Sequence, residues 1–177
     1  SAEVEDYFLI GGRLAPYKRV DLVIEAVKKT GKKLKVFGDG VDLARLKKIA
    51  GSSENIEFLG RVNDEAKAEL YSRSLAFINP QEEDFGITAV EAMAAGRPVI
   101  AYRRGGALET VKDGITGVFF NEQTVDSLAR ALTNFDASKF NPEIIKRHAE
   151  QFSVDRFKKE IKEFVEKKYE KFKLANA

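Results

Sequence analysis

The 177-residue chain carries 30 Lys and Arg against 28 Asp and Glu, a formal charge of +2, with 44% hydrophobic residues, one His and no Cys. That length suits a domain able to bury its own core, and the near balance of charge argues against a dedicated nucleic-acid binder, which would carry a basic excess. Without Cys there are no disulfides, thiolate nucleophiles or Cys-ligated zinc, and His148 alone makes a histidine metal site a poor expectation.

Short apolar runs alternate with amphipathic stretches along the chain. Tyr7-Phe8-Leu9-Ile10, closed by Gly11-Gly12, predicts a first strand. Val20, Val23, Ile24 and Val27 then share one face of a helix ending in Lys28-Lys29, where positive charge complements the carboxyl end of the helix dipole. Leu34-Lys35-Val36-Phe37 predicts a second strand, followed by a Gly38-Asp39-Gly40 turn and a helix bearing Leu43, Leu46 and Ile49. Ile56-Glu57-Phe58-Leu59 predicts the third, with Asp64 expected to cap the helix after it. Residues 75–78, 98–102 and 117–120 complete six runs, each about a strand long and separated by intervals about a helix long. Such alternation means βαβ units: an α/β fold with a doubly wound, Rossmann-like parallel sheet covered by helices on both faces, spanning residues 1–152. Residues 153–177 read as one amphipathic helix with Phe157, Ile161, Phe164, Val165 and Phe172 on one face. Packing of that helix on its own domain is expected; docking on a missing partner domain, or resting on a membrane, are the other readings.

In such a sheet of order 3-2-1-4-5-6, ligands bind where the order reverses, outside the carboxyl ends of strands 1 and 4. Two loops lie there. The first, residues 11–19, sets glycines beside Arg13, Lys18 and Arg19, and exposed amides next to fixed cations suit a diphosphate. It lacks the Gly-Lys-Ser/Thr ending of a Walker loop and the third glycine of the dinucleotide fingerprint. A plain turn with solvated basic residues is the bland alternative. The second loop, residues 79–86, leads into an Ala-rich helix whose first amides Gly86 leaves uncovered, a seat for an anion. Glu83 precedes that helix and Glu91 lies about a turn inside it. Eight residues of helix span about 12 Å, which fits two ends of one ligand better than the closer carboxylate pair of a glycosidase. A carboxylate buried in such a helix needs a partner.

Glu83 and Glu91, with seven residues between them and followed by Ala92-Met93-Ala94-Ala95-Gly96-Arg97-Pro98-Val99, resemble the motif of the family 4 retaining glycosyltransferases of GT-B fold. The segment from Gly12-Arg13-Leu14 to Lys18 is similar to that family's phosphate-binding loop, and Gly105-Gly106-Ala107-Leu108-Glu109 with Gly114 and Gly117 to its next conserved stretch. The likeness runs from about residue 7 to 157 and is greatest to mannosyltransferases of polysaccharide and lipid-linked glycan assembly. It implies one half of a GT-B fold, the half that binds the donor nucleotide sugar. The hexose, mannose from GDP-mannose, would pass to a glycan or lipid-linked acceptor.

The resemblance also implies roles. Arg13, Lys18 and Glu83 would be catalytic: the two cations hold the diphosphate and stabilise its growing charge without a metal or other cofactor, and Glu83 accepts hydrogen bonds from sugar hydroxyls. Donor binding would further involve Gly12, the Phe85, Gly86 and Ile87 amides, Thr88, Glu91 on the ribose, Val62 through its backbone on the base, and Lys67. Asp84 stands where a small Gly often sits, which bears on the sugar. A missing amino-terminal domain of the same polypeptide would supply the acceptor site and a histidine that His148 is wrongly placed to replace. The isolated chain is therefore expected to bind donor weakly and not to turn over. A UDP-sugar-dependent transferase and a nucleotide-sugar epimerase share the fold. A non-catalytic nucleotide-binding domain, and a dinucleotide oxidoreductase using Asp39 on a ribose, are readings of other classes. The opening residues do not read as a signal peptide, so none is expected, and no apolar run approaches the roughly 20 residues that span a bilayer. A cytoplasmic location is expected, with no nucleic-acid partner and with the Lys-rich tail permitting peripheral contact with the inner membrane face.

Overall fold

The structure is a computed structural model and describes residues 3–175. Six strands are found among them: β1 (Phe8–Arg13), β2 (Leu34–Asp39), β3 (Ile56–Gly60), β4 (Ala76–Asn79), β5 (Val99–Tyr102) and β6 (Gly117–Phe120). They form one sheet of order β3-β2-β1-β4-β5-β6 in which each neighbouring pair is parallel. The helices are α1 (Val20–Thr30), α2 (Leu43–Ala50), α3 (Asp64–Arg73), α4 (Ile87–Ala94), the short α5 (Ala107–Thr110), α6 (Val125–Asn134), α7 (Pro142–Ala149) and α8 (Val154–Ala175).

The two-residue period of a strand divides the core between the faces of the sheet. Phe8, Ile10, Val36, Ile78 and Ile100 point to one side and pack with α1, α2 and α6 through Val23, Ile24, Leu46 and Leu128. Their neighbours Leu9, Phe37, Phe77 and Val99 point to the other and pack with α3, α4 and α7 through Tyr71, Met93 and Ile145. Each such aliphatic or aromatic side chain contributes roughly 1.5–3 kcal/mol when fully buried, so both layers are needed to hold the sheet.

Helix ends follow local chemistry. Gly31 closes α1 in the left-handed region (φ 68°), donating its N–H to the Val27 carbonyl, with Lys28 and Lys29 in the last turn. The cap of α3 differs from the expectation: Asn63, not Asp64, accepts the Ala66 N–H at 2.8 Å. Asn63 has the extended backbone that a cap requires, whereas Asp64 is already the first helical residue. Its charge there still favours the positive end of the dipole.

Residues from 154 onward also depart from the expectation. Packing on their own domain is not seen: along α8 none of the described residues is buried, and Phe157, Phe164 and Phe172 are 64%, 57% and 64% exposed. Both faces of the sheet are already covered by other helices. At its base the Phe152 ring meets Phe85 at 5.7 Å and His148 at 5.5 Å. Residues 176 and 177 of the expected helix lie outside the described residues. Among the described residues no helix is long and apolar enough to cross a membrane.

Candidate functional site

The order of the sheet reverses between β1 and β4, and the loops that leave these strands meet there. The position a Cβ would take on Gly12 lies 3.6 Å from the Thr88 methyl, so the end of β1 faces the first turn of α4. An ion pair closes the junction: Lys18 Nζ lies 2.5 Å from Glu83 Oε2. The other carboxylate oxygen, Oε1, accepts from Gln81 Nε2 at 2.5 Å, and the same amide donates to Asn79 Oδ1 at 2.8 Å. Gln81 and Asn79 are both buried.

The loop carrying Glu83 is braced from two further sides. Gly106 donates its N–H to the Glu83 carbonyl at 2.7 Å. A Cβ at Gly106 would lie 2.1 Å from the Asp84 carbonyl oxygen, so only glycine permits this approach. Gln123 donates to the Pro80 carbonyl at 2.9 Å and is itself held by Arg19 at 2.7 Å. Of the three cations in the β1 loop, Arg19 is thus committed to structure; it also starts α1 from the left-handed region (φ 52°). Arg13 is exposed and has no ion pair or side-chain hydrogen bond among the described residues.

Gly86 enters α4 in the left-handed region (φ 87°), and no side chain caps the helix start. The first amides of α4 therefore meet a hollow of about 550 Å³ lined by Tyr17, Lys18, Glu83, Phe85, Ile87 and Thr88, with the carboxylates of Glu82 and Asp84 also on its wall. The Phe85 side chain is partly tied back by Phe152.

Glu91 is held by a different element. Its Oε1 accepts from Lys67 Nζ at 2.9 Å and its Oε2 from the Tyr71 hydroxyl at 3.0 Å, both donors being on α3. The hydrogen bond that Lys67 donates to Glu91 holds its ammonium above the usual lysine range. Tyr71 is buried and edge-on to Phe37 and Phe77, with ring centroids 5.8 and 5.5 Å away. Burial, reinforced by the negative charge of Glu91, pushes ionisation of its phenol far up. The partner that an inner-helix carboxylate requires is thus supplied twice over. Val62 lies in the loop between β3 and α3 and packs against the same core face as Tyr71.

The structure brings Gly12, Lys18, Glu83, Phe85, Gly86, Ile87 and Thr88 to one hollow or its rim, and groups Lys67 with Glu91 one helix away. Glu83 and Glu91 have separate sets of partners. Sequence reasoning missed Tyr71 and Gln81. The four-residue spacing of Lys67 and Tyr71 was a signal that both face one way on α3, but not that α4 lies opposite. His148 is remote in role, its Nε2 2.7 Å from the Thr110 carbonyl. Asp39 pairs with Arg61 at 3.1 Å and accepts the Gly40 N–H.

A larger hollow, of about 630 Å³, lies at the opposite edge of the sheet around Tyr7, Lys33, Lys35 and Asn55. Its two lysines are paired, Lys35 with Glu5 and Lys33 with Asp6, and Glu54 and Glu57 add further negative charge, which does not suit an anionic ligand. Ligands of open α/β sheets favour the carboxyl edge, where the unpaired Arg13 and the uncapped α4 lie. Among the described residues no group of three or more His, Cys, Asp or Glu is placed to hold a metal ion.

Comparison with known proteins identifies the family and the fold. The profile of the family described as "Glycosyl transferases group 1" matches residues 1–152. A Methanocaldococcus jannaschii protein, "Uncharacterized glycosyltransferase MJ1178", is 33% identical over 126 residues, which are 70% of this chain and 36% of that protein. The alpha-1,3/1,6-mannosyltransferase ALG2 of Dictyostelium discoideum is 38% identical over 108 residues, 60% of this chain and 26% of its own length. The crystal structure of Anabaena Alr3699/HepE in complex with UDP is similar in fold, with a TM-score of 0.76 and 24% identity over 92% of this chain and 49% of that one. The chain spans well under half of those two relatives and about half of the HepE chain.

Proposed function

The chain belongs to the group 1 glycosyl transferases, and from that premise we propose that it is the donor-binding half of a retaining transferase of GT-B fold. The observation that carries this reading is the layout along α4: an uncapped helix start beside Lys18 and Glu83 at one end, and the α3-braced Glu91 further in. A nucleotide sugar offers matching chemistry, anionic at its diphosphate and rich in hydroxyls at the sugar and the ribose.

Lys18, Arg13 and the first amides of α4 take the diphosphate. When the bond from the anomeric carbon to the phosphate oxygen breaks, the electron pair leaves with the diphosphate. These fixed donors stabilise that charge as it grows. Donor binding exchanges partners in the hollow. The diphosphate draws Lys18 from Glu83, whose Oε2 then accepts from a sugar hydroxyl while Gln81 keeps hold of Oε1. Gly12 leaves the β1 loop low enough for close approach, Glu91 accepts from the ribose hydroxyls, and the Val62 backbone and Lys67 lie toward the base. The β1 loop, without the third glycine of the dinucleotide fingerprint, weighs against the nicotinamide reading.

GDP-mannose is the leading donor, its sugar supported by the likeness to the mannosyltransferase ALG2. A UDP-hexose is the second reading, favoured by the UDP bound to HepE. The rest of the polypeptide would contribute the acceptor site for a glycan or a lipid-linked acceptor on the cytoplasmic side, so the isolated chain binds donor without turnover. Calorimetric titration with GDP, GDP-mannose, UDP, UDP-glucose and NAD, beside a Glu91→Ala variant, tests this. Guanosine preference weakened by the substitution supports the leading donor, and uridine preference moves the assignment to the second. Selective binding of NAD overturns both.

A further inference from the structure

We propose that Tyr71 is a positioning residue of the donor site. Together with Lys67 it pins the Glu91 carboxylate to accept both hydroxyls of a vicinal diol, so that the site selects ribonucleotides over their deoxy forms. The proposal rests on the reading above that Glu91 meets the ribose.

A carboxylate accepts only, through about four lone-pair directions on its two oxygens. Tyr71 takes one on Oε2 and Lys67 one on Oε1. One direction on each oxygen remains, and the Glu91 side chain is 34% exposed, so these remaining acceptors are accessible. Two acceptors side by side match two hydroxyls on adjacent carbons.

The two donors from α3 are not equivalent. Lys67 is a flexible cation that also serves Asp64 at 3.2 Å, and alone it would let the carboxylate swing. Tyr71 is 2% exposed and wedged between Phe37 and Phe77, so its hydroxyl is a fixed point. Packing alone does not call for that hydroxyl, since a Phe ring would fill the same space. A neutral phenol also orients Glu91 without cancelling its charge, which keeps the carboxylate a strong acceptor for ligand hydroxyls.

The test is a cycle on the 177-residue chain: wild type, Tyr71→Phe, Glu91→Ala and the double variant, titrated with GDP, UDP and their 2′,3′-dideoxy counterparts. Thermal melting runs alongside. The expected result is that Tyr71→Phe weakens the better-bound ribonucleotide about three- to tenfold and leaves its dideoxy counterpart unchanged. In the Glu91→Ala background the same change should have no further effect. Equal weakening of both ligands, or an unchanged ratio between them, overturns the positioning role and leaves Tyr71 as packing. A ratio that Tyr71→Phe still lowers without Glu91 also overturns it. A ribose preference that survives Glu91→Ala overturns the ribose reading of Glu91 itself. Failure of the wild-type chain to bind either diphosphate at millimolar concentration removes the premise and the proposal together.

Discussion

The two carboxylates associated with α4 are held by neighbours of opposite character. Glu83 is bound across a loop junction by Lys18, a long side chain whose other calling is an anion, and from within its own loop by Gln81. Glu91 is bound by a single rigid helix, through a phenol set in an aromatic wedge and an ammonium one turn away. The first arrangement can exchange partners when a ligand arrives; the second stands ready beforehand. On the reading proposed above, a site built this way would spend little conformational entropy on a nucleoside and confine its rearrangement to the end where bonds would change.

The widest test of that division removes Lys18. Lys18→Ala should weaken GDP, UDP and inorganic pyrophosphate alike by about tenfold or more, because a charge-assisted contact to phosphate is lost; calorimetry reads it directly. Glu91→Ala should weaken the nucleoside diphosphates by about three- to tenfold while pyrophosphate binds as before. A pyrophosphate loss in the second variant would break the division of labour. Stability should respond to the less obvious brace. Gln81→Leu leaves the buried Asn79 oxygen and one oxygen of Glu83 without their donor, a cost of roughly 1–3 kcal/mol. At about 2–4 °C per kcal/mol in a chain of this size, calorimetric melting will resolve it.

The smallest effect concerns alkali. Burial pushes the Tyr7 phenol up to about 12 and the Tyr71 phenol higher still, against roughly 10 in an unfolded chain. Folding therefore retains protons that the unfolded chain gives up, so the contribution of these groups is fully present below about pH 10 and is lost as pH rises toward and beyond 12. Spectroscopic titration should show two of the five tyrosines ionising late, with a fall in melting temperature over the same range. Early ionisation of Tyr71 would mean that the ready-made end is not held as described.

The sheet was legible in the sequence because its evidence is local. Runs such as 34–37 and 117–120 carry their own apolar pattern, and the topology of alternating units follows with few choices. Glu83, Glu91 and the basic β1 loop were legible because an acid inside an Ala-rich helix, and cations beside glycines, look out of place without a ligand or partner. Tyr71 was not, because an aromatic residue on α3 reads as core until α4 is laid against it. Gln81 passed for an ordinary loop amide, since its burial depends on Asn79 and Glu83 folding around it. The place of α8 was not legible, because an apolar stripe reports that a surface is wanted, not which surface supplies it.

Helix α4 also acts as a gauge. Its eight residues fix the separation between the anion seat at its start and the carboxylate further in with the regularity of a screw thread. One residue inserted between Gly86 and Glu91 would carry the carboxylate about 1.5 Å along and about 100° around the axis, away from Tyr71 and Lys67 together. A change of count in this stretch would therefore part the two ends of the site whatever residue was inserted.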